Sequence, residues 1–249
     1  MIVLKTAKEI EQMRKACEIS AEALQVAGDA VKPGVTTWEI DRIAYEFIKK
    51  HGAEPNFLHL YGFPATACIS INDEIIHGIP SKKRVIKDGD IVSIDLGAKV
   101  NGYNGDNAAT FAAGNISDKA KRLCNTTRES LYKGISEAVA GNRIGDIAYA
   151  VQSYCEELGY GVVREYTGHG VGTELHEDPS VPNFGTPGRG VRLLPGMVIA
   201  IEPMINEGTA AIKQLPDGWT VKTKDGKLSA HFEHTVAITK DGPLILTKL

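Results

Sequence analysis

The 249-residue chain lacks the features that mark several common protein classes. Its net charge is only −3, so it has no basic surplus of the kind that nucleic-acid-binding proteins carry. Its first thirty residues are charged and amphipathic, without an apolar run long enough for a signal peptide or a membrane span. We therefore expect no nucleic-acid or membrane partner, and nothing in the sequence suggests more than a monomer.

Cysteine is scarce, and the four residues lie far apart, at Cys17, Cys68, Cys124 and Cys155. None forms a C-x-x-C pair, which excludes a zinc ribbon and disfavours a disulfide scaffold. We expect a reduced, cytoplasmic protein, with the first, third and fourth cysteines in the core on helix faces. No long linker or low-complexity segment interrupts the chain, so residues 1–249 are predicted to form a single domain.

Apolar periodicity indicates a mixed α/β protein. Helices are predicted at about 7–31, 36–52, 118–140 and 143–158. Strand-like stretches cover 65–71, 90–111, 195–203 and 231–239.

Part of the chain repeats when it is displaced by 107 positions. The shift superimposes the first two predicted helices on the last two and places Gly34 on Gly141. It also places Asp95 on Glu202, each at the end of an apolar strand. We predict a pseudo-symmetric domain in which each half contributes an acid to a shared centre.

Four carboxylates lie in or beside apolar, strand-like stretches: Asp95, Asp106, Glu202 and Glu233. Grouping ionised carboxylates in a protein interior is costly without a counter-charge, and divalent metal ions would supply one. Two ions about 3.5–4 Å apart, bridged by carboxylates, form a known hydrolytic device. Each acid alone could instead be a turn or capping residue, and Gly-Asp-Asn around Asp106 suits a hairpin turn.

Two histidines lie in the glycine-rich stretch TGHGVGTELHEDP, at His169 and His176. The glycines beside His169 would allow the backbone to approach a ligand closely. The spacing differs from H-E-x-x-H because position 180 is serine, so a zincin helix is not supported. A phosphate loop is also a weak interpretation, since no Lys-Ser/Thr follows the glycines.

His77, in INDEIIHGIP, is a candidate proton handler, although a loop histidine is an equally good explanation. Cys68 has His77 and His59 nearby in the sequence, which raises the alternative of a cysteine hydrolase. That alternative is weak because no helix N-terminus or fixed basic neighbour is evident to lower the thiol pKa.

Several segments together resemble the type I methionine aminopeptidases. They are CISINDEIIHGIP, GDIVSIDLG with NGYNGDNAATF, GHGVGTELHEDP, GMVIAIEPM and DGWTVKTKDGKLSAHFEHT. They follow the family's order and spacing over nearly the whole chain. The resemblance implies the pseudo-two-fold "pita-bread" α/β (α+β) fold, in which helices cover the outer face of a curved, mainly antiparallel sheet.

The resemblance also implies roles for individual side chains. Five positions match the family's ligands for two divalent metal ions (cobalt, manganese, iron or zinc): Asp95, Asp106, His169, Glu202 and Glu233. His77 and His176 match histidines that contact the substrate, and Phe63, Cys68 and Trp219 match the lining of a methionine pocket.

The implied activity is removal of the initiator methionine from nascent chains by metal-activated water, with preference for a small second residue. His176 would stabilise the oxyanion, and Glu202 would carry a proton from the water to the leaving amine. Transient contact with the ribosome would suit such a substrate. Because the sequence shows no N-terminal zinc-finger extension, we expect the short bacterial form.

Four positions depart from the pattern common in this family: Phe57, Leu60, Leu175 and His231, which stands where many relatives have glutamine. They bear on substrate preference and metal affinity and leave the reaction unchanged.

An X-Pro peptidase of the same fold is the nearest alternative, although such enzymes normally carry a large extra N-terminal domain. A non-catalytic binding module would lack metal ligands. A mononuclear iron oxygenase would leave three carboxylates unexplained.

Overall fold

A computed structural model describes residues 1–248, in which the first two helices begin at reciprocal capping boxes. Glu9 and Glu39 each donate a backbone N–H to the hydroxyl of a threonine three residues earlier, and their carboxylates accept that threonine's backbone N–H at 2.8 Å. A short 3-10 helix covers Leu60–Gly62. Within the described residues the α-helices are α1 (Ala7–Asp29), α2 (Thr37–Lys50), α3 (Asp118–Ser136) and α4 (Ile144–Glu157). All four agree with the predicted helices, although α1 and α3 end a few residues early.

Within the described residues five strands follow α2 and ten follow α4. They are β1 (Glu54–Pro55), β2 (Ala67–Ile71), β3 (Glu74–Ile76), β4 (Ile91–Val100), β5 (Tyr103–Ala112), β6 (Gly161–Val162), β7 (Gly168–Gly170), β8 (Glu177–Val181), β9 (Val198–Ile201), β10 (Met204–Asn206), β11 (Ile212–Gln214), β12 (Val221–Thr223), β13 (Ser229–His231), β14 (Glu233–Thr239) and β15 (Gly242–Ile245). The predicted strand 90–111 is therefore two strands, and the predicted strand 231–239 is interrupted at Phe232.

Nine strands form one curved sheet, in which β1, β4, β5, β14, β9, β7 and β8 follow one another. Strand β2 pairs with β4, and β15 pairs with β14. Every pairing in this sheet is antiparallel. Two three-stranded sheets, β13-β10-β6 and β11-β12-β3, accompany it.

The 107-residue repeat is visible in the structure. Helices α2 and α4 have 14 residues each, and their bounds are related by that displacement. Isolated antiparallel bridges join Thr36 to Val85 and Arg143 to Arg192, which are equivalent under the same shift. The pseudo-two-fold symmetry expected of the fold is therefore present in backbone pairing as well as in sequence.

Each half has its own apolar core between helices and sheet. In the first half, Ile40 of α2 packs in a cluster with Val92 and Ile94 of β4. In the second half, the equivalent Ile147 packs in a cluster with Ile199 and Ile201 of β9. Side chains alternate along a strand, so Asp95 and Glu202, each next to such a core residue, point to the opposite face of the sheet.

A two-residue turn joins β4 to β5. Val100 pairs with Tyr103, and the turn residues Asn101 and Gly102 both have positive φ, at 50° and 83°. Asn-Gly is the preferred pair for this tight hairpin because both residues tolerate the left-handed conformation. The turn returns the chain antiparallel to itself and so brings β5 back past Asp95.

The structure excludes one alternative interpretation, that of Asp106 as a turn residue, and overturns one expectation, that of Cys124 in the core. Asp106 lies inside β5, buried, and not in the hairpin turn, because Asn101 and Gly102 already form that turn. Cys124 is only partly buried, whereas Cys17 and Cys155 are in the core as predicted. Over residues 1–248 the structure shows no helix with both the length and the apolar character needed to cross a membrane.

Candidate active site

The sheet register gathers the carboxylates in the middle of the main sheet. Asp95 pairs with Ala108, and Ala108 pairs on its other side with Glu233. Strand β14 also pairs antiparallel with β9, and His234 lies opposite Ile201. Glu202 follows Ile201 and Glu233 precedes His234, so these two acids lie side by side. Asp106 is two residues from Ala108 and therefore points to the same face as Asp95. Hydrogen-bonded strands thus bring together four acids that are distant in sequence.

His169 of β7 completes this group. Its Nε2 lies 3.5 Å from Asp106 Oδ2 and 3.7 Å from Glu202 Oε1. One ligand atom each from Asp106, His169 and Glu233 lie within 4.8 Å of one another. The ring Nδ1 is 2.8 Å from the Gly170 carbonyl and donates to it, which leaves the Nε2 lone pair directed at the acids. In this tautomer Nε2 is free to bind a metal ion.

The glycines on either side of His169 allow β7 to pack closely against its neighbouring strands. A Cβ on Gly168 would lie 2.3 Å from the Ala200 carbonyl oxygen, and one on Gly170 would lie 2.2 Å from the Asp178 carbonyl oxygen. Close approach of the backbone to neighbouring strands, and not to a ligand, therefore requires glycine at these two positions.

Burial and mutual repulsion raise the pKa values of the clustered acids. Burial raises the pKa of Asp106 to about 7. The pKa values of Asp95, Glu202 and Glu233 lie well above their ordinary values because of burial and the charges of their acidic neighbours. Burial, with a smaller contribution from His176, lowers the pKa of His169 to about 4. The imidazole is thus neutral and brings no positive charge to balance the carboxylates.

The cluster has the donor set that a divalent metal ion requires. Among residues 1–248, Asp95 Oδ1, Asp106 Oδ1 and Glu233 Oε1 are buried acceptors without a hydrogen-bond partner. Such acceptors are costly unless something else coordinates them. Carboxylate oxygens with one imidazole suit manganese, iron, cobalt or zinc ions, so the residues present fit the metal ions that the resemblance implies.

An apolar pocket opens onto the acids in one cavity of about 340 Å³. Phe63 and Trp219 meet edge to face with their ring centroids 5.1 Å apart, and the Cys68 side chain belongs to the same apolar cluster. All of the sequence-predicted site residues line this cavity, together with three of the departures, Phe57, Leu60 and Leu175.

His77 and His176 lie between the apolar pocket and the acids. The His176 ring is 4.4 Å from the ring of His169, and the His77 ring is 6.2 Å from that of Trp219. Burial lowers the pKa of both histidines, that of His77 to about 4, so each is a neutral imidazole at neutral pH. His77 has a φ of 58°, a conformation that histidine adopts more readily than most residues but that is still unusual and concentrated at functional sites.

The cysteine-hydrolase alternative finds no support in these surroundings. Burial raises the pKa of the Cys68 thiol well above its ordinary value, and the charges of Asp95 and Asp106 raise it further. A nucleophilic thiol requires the opposite shift.

His231, another departure, is fully buried in β13 with its Nε2 3.7 Å from Glu202 Oε2. Neither of its ring nitrogens has a hydrogen-bond partner in the part of the chain that the structure describes. It lies beside a candidate ligand, and its effect on metal affinity stays a prediction.

Sequence reasoning missed four residues that line the cavity: Tyr61, Ile76, Tyr166 and Thr167. Tyr61 is strongly exposed, has a φ of 50°, and stacks on His176 with centroids 5.8 Å apart. Tyr166 meets the ring of His77 edge to face at 5.6 Å. Neither tyrosine lies in a pattern with chemical meaning, so no sequence signal pointed to them.

A group of acids with the donor set for divalent metal ions, beside an apolar cavity, favours a metal-dependent hydrolase. The family model for metallopeptidase family M24 matches residues 11–240. The chain belongs to this family.

Relatives across the full length refine this placement. A methionine aminopeptidase of Clostridium acetobutylicum is 56% identical, with 99% of each chain covered, and methionine aminopeptidase 1 of Bacillus subtilis is 54% identical, with 100% of each covered. The crystal structure of methionine aminopeptidase from Thermotoga maritima matches with a TM-score of 0.98 at 46% identity over 100% of both chains. Prolidase from Pyrococcus furiosus matches with a TM-score of 0.80 at 30% identity, over 99% of this chain and 66% of its own. Within family M24 the chain thus groups with the methionine aminopeptidases.

Proposed function

We propose that this protein is a methionine aminopeptidase, which hydrolyses the first peptide bond of chains that begin with methionine and a small second residue. The observation that carries the proposal is the single cavity, in which the apolar Phe63–Cys68–Trp219 pocket opens directly onto the buried acids. An unbranched, polarizable thioether suits a pocket of aromatic rings and a thiol.

In this proposal five side chains hold two divalent metal ions: Asp95, Asp106, His169, Glu202 and Glu233. Asp106 and Glu233 would each offer the ions a buried oxygen that lacks another partner within residues 1–248. When bound, the ions lower the pKa of a water molecule and neutralise the clustered carboxylates.

The remaining steps fall to the chain's own side chains. The attacking water adds to the carbonyl carbon of methionine, and Glu202 accepts its proton and passes it to the amine that leaves. His176, as a neutral imidazole, donates its ring N–H to the oxyanion of the tetrahedral intermediate. His77 donates to the substrate backbone near the same bond. The C–N bond then breaks and frees methionine and the shortened chain.

The pocket assignment predicts a substrate-binding defect in Trp219→Ala. Loss of the indole removes the ring that packs against Phe63 and His77. We expect KM for Met-Gly-Met to rise about 10- to 200-fold, the range for about 1–3 kcal/mol of apolar pocket contact, with a much smaller change in kcat. Steady-state release of methionine measures both constants.

The chain's other tryptophan, Trp38, gives a matched control. It lies on the surface of α2, where Lys82 Nζ is 4.3 Å from its ring centroid. Trp38→Ala should leave both constants unchanged. A rise in KM of the same size in both variants would contradict the pocket assignment.

A substrate panel tests the proposed function directly. Met-Gly-Met, Leu-Gly-Met and an Ala-Pro peptide are offered to the metal-loaded enzyme. The proposal predicts that the enzyme releases an N-terminal residue from Met-Gly-Met and from neither of the other two peptides. Cleavage of the X-Pro peptide in its place would assign the enzyme to the activity of its prolidase-like neighbours.

The proposal extends to the cellular setting. Residues 1–249 act as one domain and a monomer, in the cytoplasm, on nascent polypeptides, with transient contact to the ribosome. The four cysteines, all free in the structure, support the cytoplasmic part of this setting. Sedimentation of the purified protein alone measures its mass, which should be that of a monomer. Sedimentation with ribosomes measures the contact, which should carry part of the protein into the ribosome fraction.

A further inference from the structure

A buried ion pair joins residues 1–6, which precede α1 and are called the N-terminal arm here, to the loop that carries His176. We call residues 171–176, between β7 and β8, the His176 loop; Glu177 follows it as the first residue of β8. Lys5 Nζ donates to Glu177 Oε2 at 2.6 Å, and the two side chains are only 4% and 11% exposed. Lys5 and Glu177 are 172 residues apart in the chain.

The Glu177 carboxylate lies inside the bend of the His176 loop. Its Oε1 accepts the backbone N–H of Glu174 at 3.2 Å. A Cβ on Gly172 would lie 2.2 Å from the same oxygen, so the start of the loop passes directly over the carboxylate. The shape of the loop therefore depends on where this carboxylate is held.

Lys5 is itself fixed to the sheet. Its backbone N–H donates to the Gly196 carbonyl at 2.7 Å, at the turn that leads into β9 and on to Glu202. Gly196 has a φ of 96°, and a Cβ there would lie 2.8 Å from the Lys5 carbonyl oxygen. The arm therefore connects the His176 loop to the strand that carries Glu202.

We propose that Lys5 and Glu177 are positioning residues, which hold the His176 imidazole in place against the candidate metal centre. The proposal deepens the proposed function and rests on it, since His176 is the group that it positions. A buried ion pair contributes little net stability, whereas loss of one partner leaves an uncompensated buried charge. We infer that the Lys5–Glu177 pair matters for the position of the His176 loop, because a displacement of about 1 Å at a reacting group can lower the rate about a hundredfold.

The test combines Lys5→Met with His176→Ala. Lys5→Met alone should lower kcat for Met-Gly-Met by about tenfold to a hundredfold, while KM and the affinity for manganese, measured by calorimetry, stay near parental values. In the His176→Ala background, Lys5→Met should lower kcat no further, since the positioned group is gone. Lys5→Arg, which keeps the charge, should restore most of the parental kcat. An equal loss in both backgrounds would overturn the proposal, because it would show a general structural effect.

The same arm offers a matched control. The N-terminal amine of Met1 pairs with Asp178 Oδ2 at 2.5 Å, but these groups are 98% and 60% exposed. Asp178→Asn removes the charge from this exposed contact between the arm and β8 and should leave kcat unchanged. If Lys5→Met does not fold, the double variant Lys5→Met/Glu177→Met, which removes both charges, carries the test in its place.

Failure of the proposed function would be seen separately. If the parent protein releases no methionine, amide hydrogen exchange of residues 171–177 becomes the readout. Faster exchange in Lys5→Met than in Asp178→Asn supports the positioning role, and equal exchange overturns it.

Discussion

Asp106→Asn is expected to lower kcat/KM for Met-Gly-Met by more than about a hundredfold. Loss of a residue that only orients a metal ligand typically costs 10- to 100-fold, and loss of a ligand itself should cost more. The amide keeps the size of the side chain but removes the charge that faces His169 at 3.5 Å. Kinetics with each added metal measure the loss.

The same substitution is expected to stabilise the metal-free protein. Asp106 is buried beside three other acids whose pKa values burial and mutual repulsion raise. Because burial raises the pKa of Asp106 to about 7, folding of the metal-free protein at neutral pH must either protonate this carboxyl group or keep its charge in the interior. An amide avoids that cost, so the melting temperature of chelator-treated protein should rise by about 2–4 °C, the shift that about 1 kcal/mol produces in a chain of this size.

Asp118→Asn makes the same chemical change at the exposed start of α3 and should alter neither quantity to this extent. A loss of activity together with a lower melting temperature in Asp106→Asn would indicate that Asp106 supports the fold instead of binding metal.

His176→Ala is expected to lower kcat by about a hundredfold to a thousandfold with little change in KM. That is the usual cost of removing one hydrogen-bond donor to an oxyanion, since the interaction forms only in the transition state. Burial keeps the pKa of His176 below its ordinary value, so the donor is a neutral imidazole near neutral pH. Steady-state kinetics on Met-Gly-Met separate the two constants.

His51→Ala provides the control for His176→Ala. His51 caps the end of α2, stacked on Phe47 with ring centroids 4.0 Å apart, and should be replaceable without loss of kcat. A rise in KM with unchanged kcat in His176→Ala would contradict a role in the transition state.

Local sequence signals predicted much of the architecture because short-range physics decides it. Apolar periodicity predicted the four α-helices to within a few residues. The capping boxes of α1 and α2 and the Asn101-Gly102 turn are also local signals, but periodicity does not include them, so the hairpin of β4 and β5 was predicted as one strand. The repeat that pairs Asp95 with Glu202 indicated a shared centre before any distance was known. The resemblance to a family then supplied residue roles that periodicity alone does not contain.

Features that depend on long-range register could not be predicted. Asp106 was compatible with a turn, and only the pairing of β5 with β4 and β14 shows that it is buried among the other acids. The contacts of Tyr61 with His176 and of Lys5 with Glu177 join segments more than a hundred residues apart. Neither contact leaves a periodic or compositional trace in the sequence.

Metal reconstitution tests the central claim most directly. Protein stripped with a chelator receives manganese, iron, cobalt or zinc, one at a time and without oxygen, and methionine release from Met-Gly-Met is followed. A metal-dependent methionine aminopeptidase shows no release when stripped, recovery with at least one metal, and no recovery in Asp106→Asn. Release that persists without metal, or folded protein that stays inactive with every metal, would contradict the claim.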